Sequence, residues 1–118
     1  MRGPLTPPQV PLAATRAEGF DDLVADAVVI ARKRLAAAGI DRPLESVRIR
    51  VEEVPPEGTG LADARAGSGA TPAELTVFRR PIEARSAPGS DRSRLVREVL
   101  LEQVGVLYGL GPDALTDD

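Results

Sequence analysis

Glu98 and Glu102 stand four residues apart in the run Ser90 to Gly111, SDRSRLVREVLLEQVGVLYGLG. On a helix that spacing puts both carboxylates on one face. With Asp113 they would offer oxygen donors, a set that suits magnesium, calcium or manganese better than zinc. The simpler reading leaves both glutamates solvated, with Arg94 and Glu98 at the spacing of a surface ion pair of about 0.3 kcal/mol. Gln103 has no titrating proton in range, and Val106 has no ligand atom. The 118 residues include no histidine and no cysteine, so imidazole and thiolate chemistry are excluded. A second cluster is cationic. Between Arg79 and Arg97 lie arginines 79, 80, 85, 92, 94 and 97 against Glu83 and Asp91, an excess of four positive charges (six minus two). Arg79 and Arg80 are the candidate binding residues of that segment for an anionic partner, against the simpler reading of ordinary surface arginines. Gly67-Ser-Gly69 reads as a turn, because no strand-to-helix pattern surrounds it as a phosphate loop requires.

These side chains need elements to carry them. Ser90 is a good helix N-cap type, and Asp91 adds a negative charge in the first turn. Leu95, Val96, Val99, Leu100, Val106, Leu107 and Leu110 recur at steps of three and four, so the spacing predicts one amphipathic helix with Gln103 as the polar break in its stripe. Tyr108 adds an apolar ring with a polar tip. Gly109 or Gly111 ends the helix and Pro112 blocks continuation. Upstream, Thr15 and Glu18 form a capping box that predicts a helix from Arg16 to about Ala38, ended by Gly39. Its stripe is Phe20, Leu23, Val24, Ala27, Val28, Ala31 and Leu35. Residues 46–54 alternate as a strand, with Val47, Ile49 and Val51 on one side. Residues 61–66 read as a weak strand and 74–79 as a firm one. Pro81 marks the end of the latter, Ile82 returns to the core, and a polar loop leads to Ser90. Helix, strand, weak strand, strand, helix is an α+β order, with two main helices on one face of a small three-stranded mixed or antiparallel sheet. Residues 1–14 read as a Pro-rich arm and 15–118 as a single domain.

The stretch Leu75-Thr-Val-Phe-Arg-Arg-Pro-Ile-Glu83 followed by Leu95-Val-Arg-Glu-Val-Leu-Leu-Glu-Gln-Val-Gly-Val-Leu-Tyr-Gly-Leu110 resembles the small bacterial zincin-like metallopeptidases, also called minimal metalloproteases. Arg79, Arg80, Pro81, Ile82, Gly105, Gly109 and Leu110 fall into register with the family's pattern. The opening MRGPLTPPQVP and the run TRAEGFDDLVADAV resemble its actinobacterial branch. The resemblance implies a zincin-like fold and a zinc site on the long helix. It places the family's first histidine ligand on Glu102, its general-base glutamate on Gln103 and its second histidine on Val106. A downstream acidic ligand would fall near Pro112, beside Asp113.

In such enzymes zinc lowers the pKa of bound water from about 16 to about 7, and a glutamate takes the proton. Without that shift of roughly nine units, hydroxide at neutral pH falls by about nine orders of magnitude. A lone carboxylate at 102, an amide at 103 and an aliphatic group at 106 cannot supply it. The expectation is a pseudoenzyme with no cofactor, in which zinc is expected for the family but its ligands are absent. The expected role is a non-catalytic binding or regulatory module for an unknown protein or peptide. The alternatives are a hydrolase built on Glu98, Glu102 and Asp113, or a binder of anionic partners through the arginine segment. Val106 is expected to fill the former site, its burial contributing about 1.5–2 kcal/mol.

Hydrophobic residues make up 42%, charged residues 28% and aromatic residues 3%, with a net charge of −3 and a pI near 5.0. One domain with an aliphatic core follows. The acidic balance and scarce aromatics make nucleic acid a poor partner. No apolar run reaches the length of a membrane span. The prolines near Met1 do not suit a signal peptide, and no cysteine is present to form disulfides, so the expected location is cytoplasmic. The abundance of Ala, Arg, Gly and Pro suggests a GC-rich bacterial source.

Overall fold

The computed structural model describes the backbone of residues 12–41, 44–111 and 114–115, and side chains from Glu18 onward. The chain runs α1 (Leu12–Ala37), a 3-10 turn (Leu44–Ser46), β1 (Arg48–Glu52), β2 (Ala62–Arg65), β3 (Glu74–Phe78), α2 (Arg79–Ala84) and α3 (Ser90–Tyr108). Both helices and the sheet share one core cluster, as the α+β reading requires.

α1 begins at Leu12, before the expected start, so Leu12–Ala14 belong to the helix and Thr15 lies inside it. Leu-Ala-Ala are good helix formers with no proline among them, so the helix runs back past Thr15 toward Pro11. The rest of the Pro-rich arm lies outside the described residues. Phe20, Val24, Ala27, Ala31 and Leu35 are buried at helical spacing, as read from sequence. Gly39, at φ 76°, closes the helix. Its N–H donates to the Ala36 carbonyl at 3.0 Å and the Ile40 N–H to that of Leu35 at 2.9 Å, a Schellman pair that satisfies two orphan carbonyls.

The sheet order is β1-β3-β2. It is mixed: β1 runs parallel to β3 with Ile49 opposite Leu75, and β2 antiparallel to β3 with Ala64 opposite Leu75. All three strands are shorter than expected, β3 by a single residue at its C-terminal end. The hairpin between β2 and β3 is closed by mutual backbone hydrogen bonds of 2.9 Å between Ser68 and Thr71. A Cβ on Gly67 would sit 2.8 Å from the Ala73 nitrogen, so this strand exit admits only glycine without a backbone shift. The 53–61 connection carries the chain past the end of β3 to the far edge, which brings Glu53 to the start of α2.

Residues 79–84, expected as a strand end and polar loop, form α2 instead. Pro81 sits at its third position, where an N–H would have no intrahelical partner, so the ring costs nothing there. Ile82 is fully buried, as expected.

α3 starts one residue earlier than expected, at Ser90 itself. Gly89, not Ser90, is the N-cap, at φ 91° and ψ −139°. Asp91 acts from within the first turn, its Oδ2 accepting from the Ala87 N–H at 2.8 Å. The stripe is also corrected. Val96, Val99, Leu100, Val104 and Tyr108 are buried, whereas Val106 is 65% exposed. With about 100° per residue, the ridge 96-100-104 centres the buried face. Position 106 lies two residues, about 200°, from 104 and therefore turns outward. Val106 does not fill a former site. Gly109, at φ 70°, ends the helix, with the Leu110 N–H donating to Gly105 at 2.8 Å.

Leu100→Ala should cost about 3 kcal/mol of unfolding free energy, because it leaves a cavity in the buried ridge. Val106→Ala should change stability by less than about 0.5 kcal/mol. Urea denaturation of the two variants checks both values.

Candidate functional site

The outward face of α3 carries Glu98, Leu101, Glu102, Gly105 and Val106, an i, i+3, i+4, i+7, i+8 set. It lines an open cleft of about 650 Å³, completed by Arg34 from α1, Arg94 and Arg97 from α3, and Leu110, Gly111 and Leu115 after the helix. Arg34 Nη1 donates to the Leu115 carbonyl at 2.8 Å and so ties the C-terminal segment across to α1. Leu115 is itself buried. The floor is aliphatic and the rim carries both signs of charge.

Glu102 and Val106 both face this cleft and are exposed, while Gln103 is half-buried and is not among its lining residues. Glu98 shares the Glu102 face, as the four-residue spacing implies. Arg94 pairs with Asp91 at 2.7 Å rather than with Glu98, since Asp91 is already held one turn back by the Ala87 amide. Asp113 lies outside the described residues. Among the described residues no three of His, Cys, Asp or Glu converge as a metal site would need. The donors at positions 102, 103 and 106 do not fit zinc: one carboxylate, one amide and one aliphatic group leave too few ligands.

The arginine segment is largely committed to holding the fold. Arg79 is 6% exposed. Its Nε donates to Glu53 Oε2 at 2.9 Å, its Nη2 pairs with Glu53 Oε1, and its Nη1 reaches Glu83 Oε1 at 2.9 Å. Arg80 is exposed and reaches Glu53 at 3.5 Å. Arg92 Nη2 donates to the Ser86 carbonyl at 2.9 Å and the Glu83 carbonyl at 3.2 Å, capping the end of α2. The Arg79 clamp joins the start of the 53–61 connection to α2. Sequence could show only that Arg79 and Glu83 are four apart. The partner that matters most, Glu53, is 26 residues away.

These contacts set the acid response. Hydrogen bonding from Arg79 holds the Glu53 carboxyl below its ordinary range, with its charge and Arg80 adding to the effect. The Ala87 amide, then Arg94, hold Asp91 below its ordinary range. The Arg79 guanidinium is correspondingly raised, chiefly by Glu53.

An α+β domain with a long helix laid along a mixed sheet, and a cleft on the helix's outward face, is the frame of a small zincin-type domain. The zincin-like metallopeptidase family profile matches residues 54–118, and the chain belongs to that family. The matched span includes β2, β3, α2 and α3, hence Arg79, Glu83 and the α3 side of the cleft, while Glu53 and Arg34 lie before it. No curated protein matches the sequence.

Because both carboxyls have depressed pKa values in the folded state, their contribution is complete above the unfolded values of about 4 and is lost as pH falls through the folded ones. The urea midpoint should therefore drop below about pH 4, and Glu53→Gln should flatten part of that drop. Arg79→Met should cost about 2 kcal/mol at pH 7 by stranding Glu83 and releasing the 53–61 connection.

Proposed function

We propose that this protein is a non-catalytic member of the zincin-like metallopeptidases, a binding module that holds a peptide segment of another protein in the α3 cleft. One observation carries the reading. The cleft stands open on the face where the family's ligands belong, yet positions 102 and 106 present it with a carboxylate and a bare aliphatic side chain. Its volume lies within the range of ordinary ligand pockets, about 300–1,000 Å³. Leu101, Val106, Leu110 and Leu115 offer a floor for an apolar side chain. Arg97, half-exposed and with no ion pair among the described residues, offers a cation for an acidic group beside it. The peptide this suits carries a bulky aliphatic residue next to an acidic one. A reducing cytoplasm suits a chain without cysteine. Among the described residues no helix is long and apolar enough to cross a membrane.

The test is a peptide array probed with the purified full chain. Bound peptides should pair an aliphatic with an acidic residue. Val106→Glu and Arg97→Glu should each weaken binding by about tenfold or more with the melting temperature unchanged, a loss of about 1.4 kcal/mol. Stoichiometric zinc binding with a rise in melting temperature, or cleavage of the arrayed peptides, would overturn the reading. Manganese- or magnesium-dependent cleavage lost in Glu102→Ala would instead establish the hydrolase built on Glu98, Glu102 and Asp113.

A further inference from the structure

β1 is one edge of the sheet, and among the described residues nothing pairs with its outer side. Such an edge presents a row of backbone donors and acceptors to any strand that can match it. The apolar face of this strand is also incompletely closed. Leu75 and Val77 of β3 are fully buried, but Ile49 and Val51 beside them on β1 are only half-buried. They line an open groove of about 750 Å³ between β1 and α1, which Val28 and Val29 share. Val29 is 46% exposed. An unpaired edge beside an open aliphatic groove is the surface that natural sheets normally cover or break with charge.

The charges on β1 are arranged to match a second copy of the same strand. The sequence is Arg48-Ile-Arg-Val-Glu52. Laid antiparallel on itself with Arg50 at the centre, Arg48 faces Glu52 of the other copy, and Ile49 faces Val51. Two-fold symmetry makes each pairing occur twice, so one strand supplies both halves of every match. The central Arg50 would face its own counterpart, but each copy brings counter-charges with it. Arg50 Nη2 lies 2.7 Å from Glu52 and Nη1 3.5 Å from Glu74 of its own chain. All five residues of the strand are used, and no apolar side chain is placed opposite a charge.

We infer that β1 is a self-association edge. A second copy adds its own β1 antiparallel, with Arg50 at the two-fold axis, to give a continuous six-stranded sheet in which the paired Ile49 and Val51 close the groove beneath α1. The surface is separate from the α3 cleft, and it stands whether or not that cleft binds peptide.

Sedimentation of the full chain over a range of concentrations should show a monomer–dimer equilibrium. Arg48→Glu and Glu52→Arg should each raise the dimer dissociation constant by about tenfold or more, since each turns two attractive pairs into two repulsive ones. Both side chains are well exposed, at 65% and 41%, and circular dichroism should show both variants folded. An equimolar mixture of the two variants should recover a dimer, because each supplies the charge the other lacks. A chain that stays monomeric, a dimer indifferent to both substitutions, a mixture that fails to recover, or capture of unrelated extended peptides by a monomeric β1 would each overturn the inference.

Discussion

Burial of one ridge of α3, the line Val96-Leu100-Val104, holds the rest in place. These three side chains are fully buried, and they bring the helix against α1 and the sheet at once. Everything else in the domain follows from where that ridge points. The sheet must offer Leu75 and Val77 to it, α1 must offer its Phe20 to Leu35 stripe, and whatever lies on the opposite side of α3 is left to solvent.

That division of the helix separates the face that holds the fold from the face that lines the cleft. Positions 102 and 106, which line the cleft, lie two residues from the ridge positions 100 and 104. Two residues is about 200° around the axis. Substitutions at 102 and 106 therefore change the cleft without touching the core. A valine at 106 stays exposed and gains no core packing, so its presence is no sign of a site closed over. The walls of the cleft belong to α1, α3 and the segment pinned by Arg34.

The cationic stretch before α3 shows the reverse relation between sequence and role. Local charge counting makes it a candidate surface for anions. In the fold its arginines mostly do mechanical tasks: Arg79 fastens the 53–61 connection to α2, Arg92 caps α2, and Arg94 steadies Asp91 in the first turn. A guanidinium has five donors in a fixed fork, so one residue can join elements that strand order separates. Arg79 is worth more as a buried clamp with two carboxylates than its place in a charge run suggests.

Periodicity and end signals in the chain alone determined the two long helices, the three strands and their order along the chain, the glycines that stop the helices, and the side-chain chemistry available at positions 102, 103 and 106. These are local properties, set by spacing, backbone freedom and residue chemistry. Only the tertiary structure decided which stripe of α3 is inside, because apolar residues occupy more of its circumference than one packing face can cover. Leu95 to Leu110 contains enough aliphatic positions to draw the stripe through Val106 or through Val104, and contact with α1 and β3 chose the second. The same holds for α2, where proline reads as a stop but is compatible with a first turn, and for Glu53 and Arg79, whose meeting depends on a connection that passes the end of a strand. Distance along the chain hides such pairings, and folding reveals them.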